Sequence, residues 1–202
     1  MKLYYAPGAC SLSPHIALRE AGLPFTMEKV DLRAKATETG ADYKAINPRG
    51  YVPALQLEDG RVVAEGPIIV QVIADLAPEK ALAPALGSEA RYQLMDWLAF
   101  ISTELHKGFS PFFNPAVNDE AKASFKERLM MRLGYIADEL GDKPYLMGEN
   151  FSVADGYLFT VLRWAKGFKF ELGPTLDAYF DRVAARPAVK AALEAEGLLK
   201  AA

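Results

Sequence analysis

The chain has 202 residues, 51% of them hydrophobic, and its 23 Lys+Arg against 26 Asp+Glu give a formal net charge of -3. A chain of this length buries roughly 70% of the surface its unfolded form exposes, enough for one domain or two small ones. So apolar a composition with so little net charge excludes intrinsic disorder. Residues 1–80 carry 9 basic and 10 acidic side chains and the remainder 14 and 16, so neither part has the basic field of a nucleic-acid or anionic-membrane binder.

Lys2-Leu3-Tyr4-Tyr5 reads as a short strand ended by Ala6-Pro7-Gly8. Ser11 to Ala21 reads as a helix, with Ser13 able to cap it, Pro14 suited to its first turn, and Gly22 and Pro24 stopping it. Phe25 to Leu32 reads as a second strand of imperfect alternation. Ala54 to Glu58, then Asp59-Gly60, then Arg61 to Ala64 predicts a hairpin with an Asp-Gly turn. Pro67 opens a helix through about Ala77, striped by Ile68, Ile69, Val72, Ile73 and Leu76. From Ser88 onward the period is helical, near 88–110, 120–141, 153–168, 175–185 and 188–197, with Pro78 to Gly87 as the linker. The pattern predicts an α/β domain over 1–80 and an all-helical domain over 87–202.

The single cysteine cannot form an intrachain disulfide, and neither it nor the two histidines, His15 and His106, sit in a metal-ligand spacing. Pro7 and Gly8 interrupt any signal-peptide stretch. The apolar runs Ile68–Ile73 and Tyr157–Leu162 are far too short for a membrane span. The expectation is a cytoplasmic protein with no membrane and no nucleic-acid partner.

Cys10 follows a strand and approaches a helix N-terminus, where exposed N–H groups and the helix dipole favour a thiolate. A buried, inert cysteine fits the same position. At Val52-Pro53 a cis bond would turn the Val52 backbone outward to pair with an extended peptide-like ligand, whereas a trans bond would mark an ordinary strand start. Glu65-Gly66-Pro67 offers a carboxylate for an amine and N–H groups for a carboxylate, or simply a helix start. Ser152-Val153-Ala154-Asp155 reads as a structural capping box. His15 reads as a packing residue and His106-Lys107 as a helix end favouring cations.

Taken in order, Tyr5-x-x-x-x-Cys10-Ser11, Asn47-Pro48-x-Gly50-x-Val52-Pro53, Glu65-Gly66 and Ser152-x-Ala154-Asp155 resemble a bacterial beta-class glutathione S-transferase over essentially the whole chain. Pro7-Gly8-Ala9-Cys10-Ser11 and Thr103-Glu104-Leu105-His106-Lys107 are the class-specific parts. The resemblance implies a thioredoxin-like, glutathione-binding N-terminal domain and an all-α C-terminal domain contributing the electrophile site. It further implies a homodimer acting in detoxification, with glutathione as co-substrate and no other cofactor or metal. Cys10 would contact the glutathione sulfur, with His106, Tyr5 and Ser11 in the catalytic set. Independently of the resemblance, Ser11 stands beside Cys10 and could donate a hydrogen bond that favours its thiolate. Val52 and Pro53 would present the backbone to the cysteinyl unit, while Glu65 and Gly66 would hold the γ-glutamyl end. Lys35, Thr103, Glu104, His106 and Lys107 would supply further contacts.

Two positions depart from the family pattern: Gly66 lacks the hydroxyl many relatives carry, and Ala99 stands where relatives often have Asn. Phe109, Phe112, Phe113 and Trp164 are candidates for core packing or for lining an apolar pocket. Conjugation of small electrophiles is the expected activity. Thiol–disulfide exchange through Cys10 and non-catalytic carriage of apolar ligands are the alternatives.

Overall fold

A computed structural model describes residues 1–199. The chain packs as two units, Met1–Ala83 together with the segment from Ala185 onward, and Pro84–Ala184. The expected helical domain of 87–202 therefore ends earlier, because its last helix packs with the first unit.

In the first unit, five strands, β1 (Lys2–Tyr5), β2 (Thr26–Asp31), β3 (Ala36–Thr37), β4 (Ala54–Gln56) and β5 (Val62–Ala64), form one sheet in the order β3-β2-β1-β4-β5. Only β1 and β2 are parallel, and α1 (Leu12–Ala21) makes the crossover such a pair requires. Tyr4 and Ala54, paired in register, join Val30, Tyr43 and Val52 in one buried cluster. Their neighbours Leu3 and Leu55, also paired, point to the opposite face and are likewise fully buried, so both faces of the sheet are covered. The short helix α2 (Tyr43–Ile46) and strand β3 are additions to the sequence reading, too short to carry a periodicity. Helix α3 (Gly66–Leu76) packs against α1, and α9 (Pro187–Ala195) contacts α1 as well.

The imperfect alternation of β2 has a physical cause. Glu28 faces inward, where Lys2 Nζ donates to it at 2.7 Å and Thr39 Oγ1 at 2.5 Å. These bonds hold its carboxyl at about 2, well below the usual range.

The β4–β5 connection differs from the two-residue Asp-Gly turn. Leu57 N–H donates to Arg61 O and Gly60 N–H to Leu57 O, which leaves a three-residue loop with Gly60 at φ 85°. Helix α1 also starts differently: Ser11, not Ser13, occupies the cap position, without a side-chain capping bond. Its C-terminus is as expected, with Gly22 left-handed at φ 66°.

In the second unit α4 (Glu89–Phe100), α5 (Ser110–Phe113), α6 (Asp119–Leu140), α7 (Val153–Gly167) and α8 (Gly173–Ala184) surround a core in which α7 is central. Every residue of Val153–Leu162 is buried. Helix α6 offers one stripe, Leu129, Leu133, Ile136 and Leu140. The capping box at Ser152 is present. Asp155, fully buried, accepts from the N–H groups of Leu146 and Ser152, from Ser152 Oγ and from Tyr179 Oη. Burial still raises its pKa above the ordinary value.

The single helix expected over 88–110 is broken. After α4 the chain widens into a π-helical segment, Ile101–His106, followed by a 3₁₀ turn, Lys107–Phe109. The widening falls on Thr103-Glu104-Leu105-His106, and π turns of this kind concentrate at functional sites. Among the described residues no helix is long and apolar enough to cross a membrane.

Candidate active site

The first unit brings Cys10, Val52, Pro53, Glu65 and Gly66 into one contiguous run. Cys10 is half-buried in the turn between β1 and α1, and its thiol donates to Val52 O at 3.1 Å, a bond only the protonated thiol can make. The Val52–Pro53 peptide is cis. A Cβ placed on Gly66 would lie 3.9 Å from Pro53 Cγ, so the start of α3 adjoins that proline. Pro67 has no N–H, and Ile68 and Ile69 both donate to Glu65 O. This leaves the Gly66 N–H as a donor without a partner among the described residues.

Glu65 occupies the cap position of α3 but leaves its carboxylate out of the cap. Its side chain makes no cap hydrogen bond, and its backbone stands at φ 68°, ψ 115°, a conformation L-residues rarely adopt. The carboxylate is directed to solvent and meets Arg49 Nη1 at 2.6 Å, both side chains being more than half exposed. The sequence reading passed over Arg49, whose place beside Glu65 comes from the fold. Lys35, at φ 57°, donates its ammonium to Gly50 O at 2.9 Å and lies over the Tyr51 ring. Tyr43 Oη and Asn47 Nδ2 both donate to Tyr51 O, so three side chains brace the segment leading into Val52. Burial pushes the Tyr43 phenol up to about 12, which keeps it a donor.

Ser11 does not serve the sulfur. Its buried hydroxyl donates to Ala6 O and accepts from Ala6 N–H, tying the turn to itself, so the expected hydrogen bond to a thiolate is not made. Tyr5 ends β1, and burial, then the charges of Glu38 and Glu196, raise its phenol, leaving it protonated at neutral pH.

His15, expected as packing, is the centre of a buried polar chain. Arg19 Nε donates to Nε2, which leaves the proton on Nδ1 to donate to Glu196 Oε1, each at 2.8 Å. The other carboxylate oxygen of Glu196 accepts the Gly8 N–H at 2.8 Å, bracing the loop before Cys10. The Arg19 pairing was visible as an i, i+4 spacing. Glu196, 181 residues from His15, was not.

The second unit carries Thr103, Glu104, His106 and Lys107 on the π segment and the turn after it. Thr103 Oγ1 donates back to Ala99 O, and Arg132 Nε donates to Glu104 Oε2, both at 3.0 Å. His106 Nδ1 lies 2.6 Å from Tyr157 Oη, with the Trp164 ring edge-on at 4.9 Å. Burial, and then the charge of Lys107, lower the His106 pKa to about 4, so it is neutral at physiological pH. Phe109 and Trp164 belong to the core, Phe112 is half-buried and Phe113 is 57% exposed.

The first unit is thioredoxin-like and holds a thiol, a cis-proline and an exposed carboxylate, and the second is all-helical. Residues 8–76 match the glutathione S-transferase N-terminal domain family and residues 100–187 its C-terminal domain family. The chain is 48% identical over 200 residues to glutathione S-transferase GstA of Escherichia coli O157:H7, covering 98% of this chain and 100% of that one. It superposes on the ternary complex of BphK, a bacterial glutathione S-transferase, with TM-score 0.96 and 58% identity, covering 98% and 100% of the two chains. The bacterial beta class glutathione S-transferase of Sphingomonas chungbukensis matches at TM-score 0.95 and 48% identity, with coverage of 98% and 100%. The chain belongs to the glutathione S-transferase family and is a transferase with glutathione as co-substrate.

Proposed function

We propose that this enzyme joins the sulfur of glutathione to small apolar electrophiles, including halogenated aromatics. The thiolate sulfur forms a C–S bond, the leaving group departs with its electron pair, and the thiol proton passes to solvent. The observation that carries this reading is the run Cys10 Sγ, Val52 carbonyl, Pro53, Gly66 N–H and Glu65 carboxylate on one unit. Those groups match the sulfur, the peptide edge and the γ-glutamyl amine and carboxylate of the tripeptide. Cys10 receives the ligand sulfur, Val52 pairs with the cysteinyl backbone, and Glu65 accepts from the ammonium in place of Arg49. Lys35, Thr103, Glu104, His106 and Lys107 supply the remaining polar contacts, and Tyr5 remains a protonated donor. Holding the thiolate in a fixed position beside an apolar substrate is the catalytic device.

The enzyme acts without a metal or further cofactor, in the cytoplasm, as a homodimer. Exposed Tyr92 and Met95 on α4 supply apolar surface for that association. Retention on immobilised glutathione, followed by turnover of a panel of electrophiles, tests the function, and neither retention nor turnover would refute it. Sedimentation tests the dimer. A second reading, thiol–disulfide exchange, is favoured by the half-exposed Cys10 thiol beside the peptide-pairing carbonyl. There the Cys10 thiolate attacks oxidised glutathione, forming a mixed disulfide and releasing one glutathione thiolate. Retention of apolar dyes without glutathione binding would instead make the protein a carrier.

A further inference from the structure

Tyr157 sits on α7, the buried centre of the second unit, and is itself almost wholly buried. Its hydroxyl lies 2.6 Å from His106 Nδ1. The His106 ring is wedged between two aromatic edges, Tyr157 at 90° and Trp164 at 65°, so its plane is set by packing as well as by the hydrogen bond. The opposite ring nitrogen, Nε2, bonds to no described residue and is not sealed from solvent. One nitrogen is therefore fixed from the core and the other is offered outward.

We propose that Tyr157 is a positioning residue that holds His106 in the Nε2–H tautomer, making it a neutral hydrogen-bond donor rather than a base. A phenol is a stronger acid than a neutral imidazole N–H, and an imidazole lone pair is a better acceptor than a phenol oxygen. The favoured bond therefore runs from Tyr157 O–H to Nδ1, which places the ring proton on Nε2. The low basicity of His106 agrees with this, since a ring that protonates only near 4 is a poor proton acceptor at neutral pH. A fixed N–H aimed outward is suited to stabilising an anionic sulfur, whose charge a general base at that position would not lower in energy. The assignment of that sulfur to glutathione rests on the proposed function, whereas the tautomer itself does not.

His15 supplies an internal contrast. Arg19 donates to its Nε2, so its proton lies on Nδ1 and its tautomer is the opposite one. The chain has only these two histidines, so one spectrum compares both.

The test is the ligand-free full chain labelled with ¹⁵N-histidine, read at pH 7 by long-range ¹H–¹⁵N correlation, in wild type and in Tyr157→Phe. The expected result is a pyrrole-type Nε2 and a pyridine-type Nδ1 for His106, with the pattern reversed for His15. In Tyr157→Phe the two His106 nitrogens should move toward averaged shifts while His15 stays unchanged. An Nδ1-protonated His106 in the wild type overturns the proposal, and that spectrum decides even if the variant fails to fold. So does a folded variant with an unaltered His106 pattern. In turnover, Tyr157→Phe should lower kcat roughly 3- to 10-fold, the worth of one neutral hydrogen bond, with KM for glutathione nearly unchanged. A protein that binds no glutathione yet shows the expected tautomer refutes the functional reading and leaves this one standing.

Discussion

Lowering the pH from 7 to 4 should destabilise this enzyme through His106, and the structure sets the size. A histidine in the unfolded chain titrates near 6.5, whereas burial and Lys107 hold the folded group at about 4. Below about pH 6.5 the unfolded state therefore binds a proton that the native state refuses. Stability from this site is complete above 6.5 and is lost as pH falls toward 4, by about 3 kcal/mol in all. Glu28 has the same sign in a lower window: its carboxyl is depressed to about 2, so its contribution is lost as pH falls from the usual carboxylate range through 2. Asp155 has the opposite sign, because its pKa is raised by burial, and protonation relieves it.

A difference measurement removes both carboxylates. Urea unfolding of wild type and His106→Asn, at one fixed protein concentration, should give a stability gap that shifts by about 3 kcal/mol against wild type between pH 7 and 4. The amide of the variant can still accept from Tyr157 but does not titrate. A gap that stays constant across this range would show that His106 is not held neutral by its surroundings.

Glu65→Ala should lose about 1.5–3 kcal/mol of glutathione affinity by calorimetry, the worth of a hydrogen bond to a charged group. Its stability should fall by less than about 1 kcal/mol, because the pair with Arg49 is exposed. Alkylation of Cys10, followed by intact mass, should be slowed by glutathione, and Cys10→Ser should abolish mixed-disulfide formation with oxidised glutathione. Alkylation at the same rate with and without glutathione would remove Cys10 from the ligand site. Asp155→Ala should cost at least about 3 kcal/mol in thermal or urea unfolding, since it strands two N–H groups and two hydroxyls in the core.

What the sequence determined by itself was local. The β1 strand, the stop of α1 at Gly22, the α3 stripe, the capping box at Ser152 and the boundary near residue 84 between an α/β part and a helical part all follow from period, capping and turn chemistry within a few residues. The candidate residues Cys10, Val52, Pro53, Glu65 and Gly66 each stand at the boundary of such an element, where a structural reading fits equally well, and only the order of the motifs along the chain, a family resemblance, singled them out.

Their surroundings were decided by packing. Arg49 reaches Glu65, Tyr157 reaches His106 and Arg132 reaches Glu104 only once distant segments meet. Ser11 turned inward to Ala6 because the short turn before α1 needs its own polar atoms satisfied. The π segment carries no signal in a pattern of period 3.6, which continues through it. Helix α9 reads as a member of the helical part by composition. It packs instead on α1, and Glu196 just beyond it reaches His15 and Gly8. Periodicity tells which face of an element is buried, but not against what.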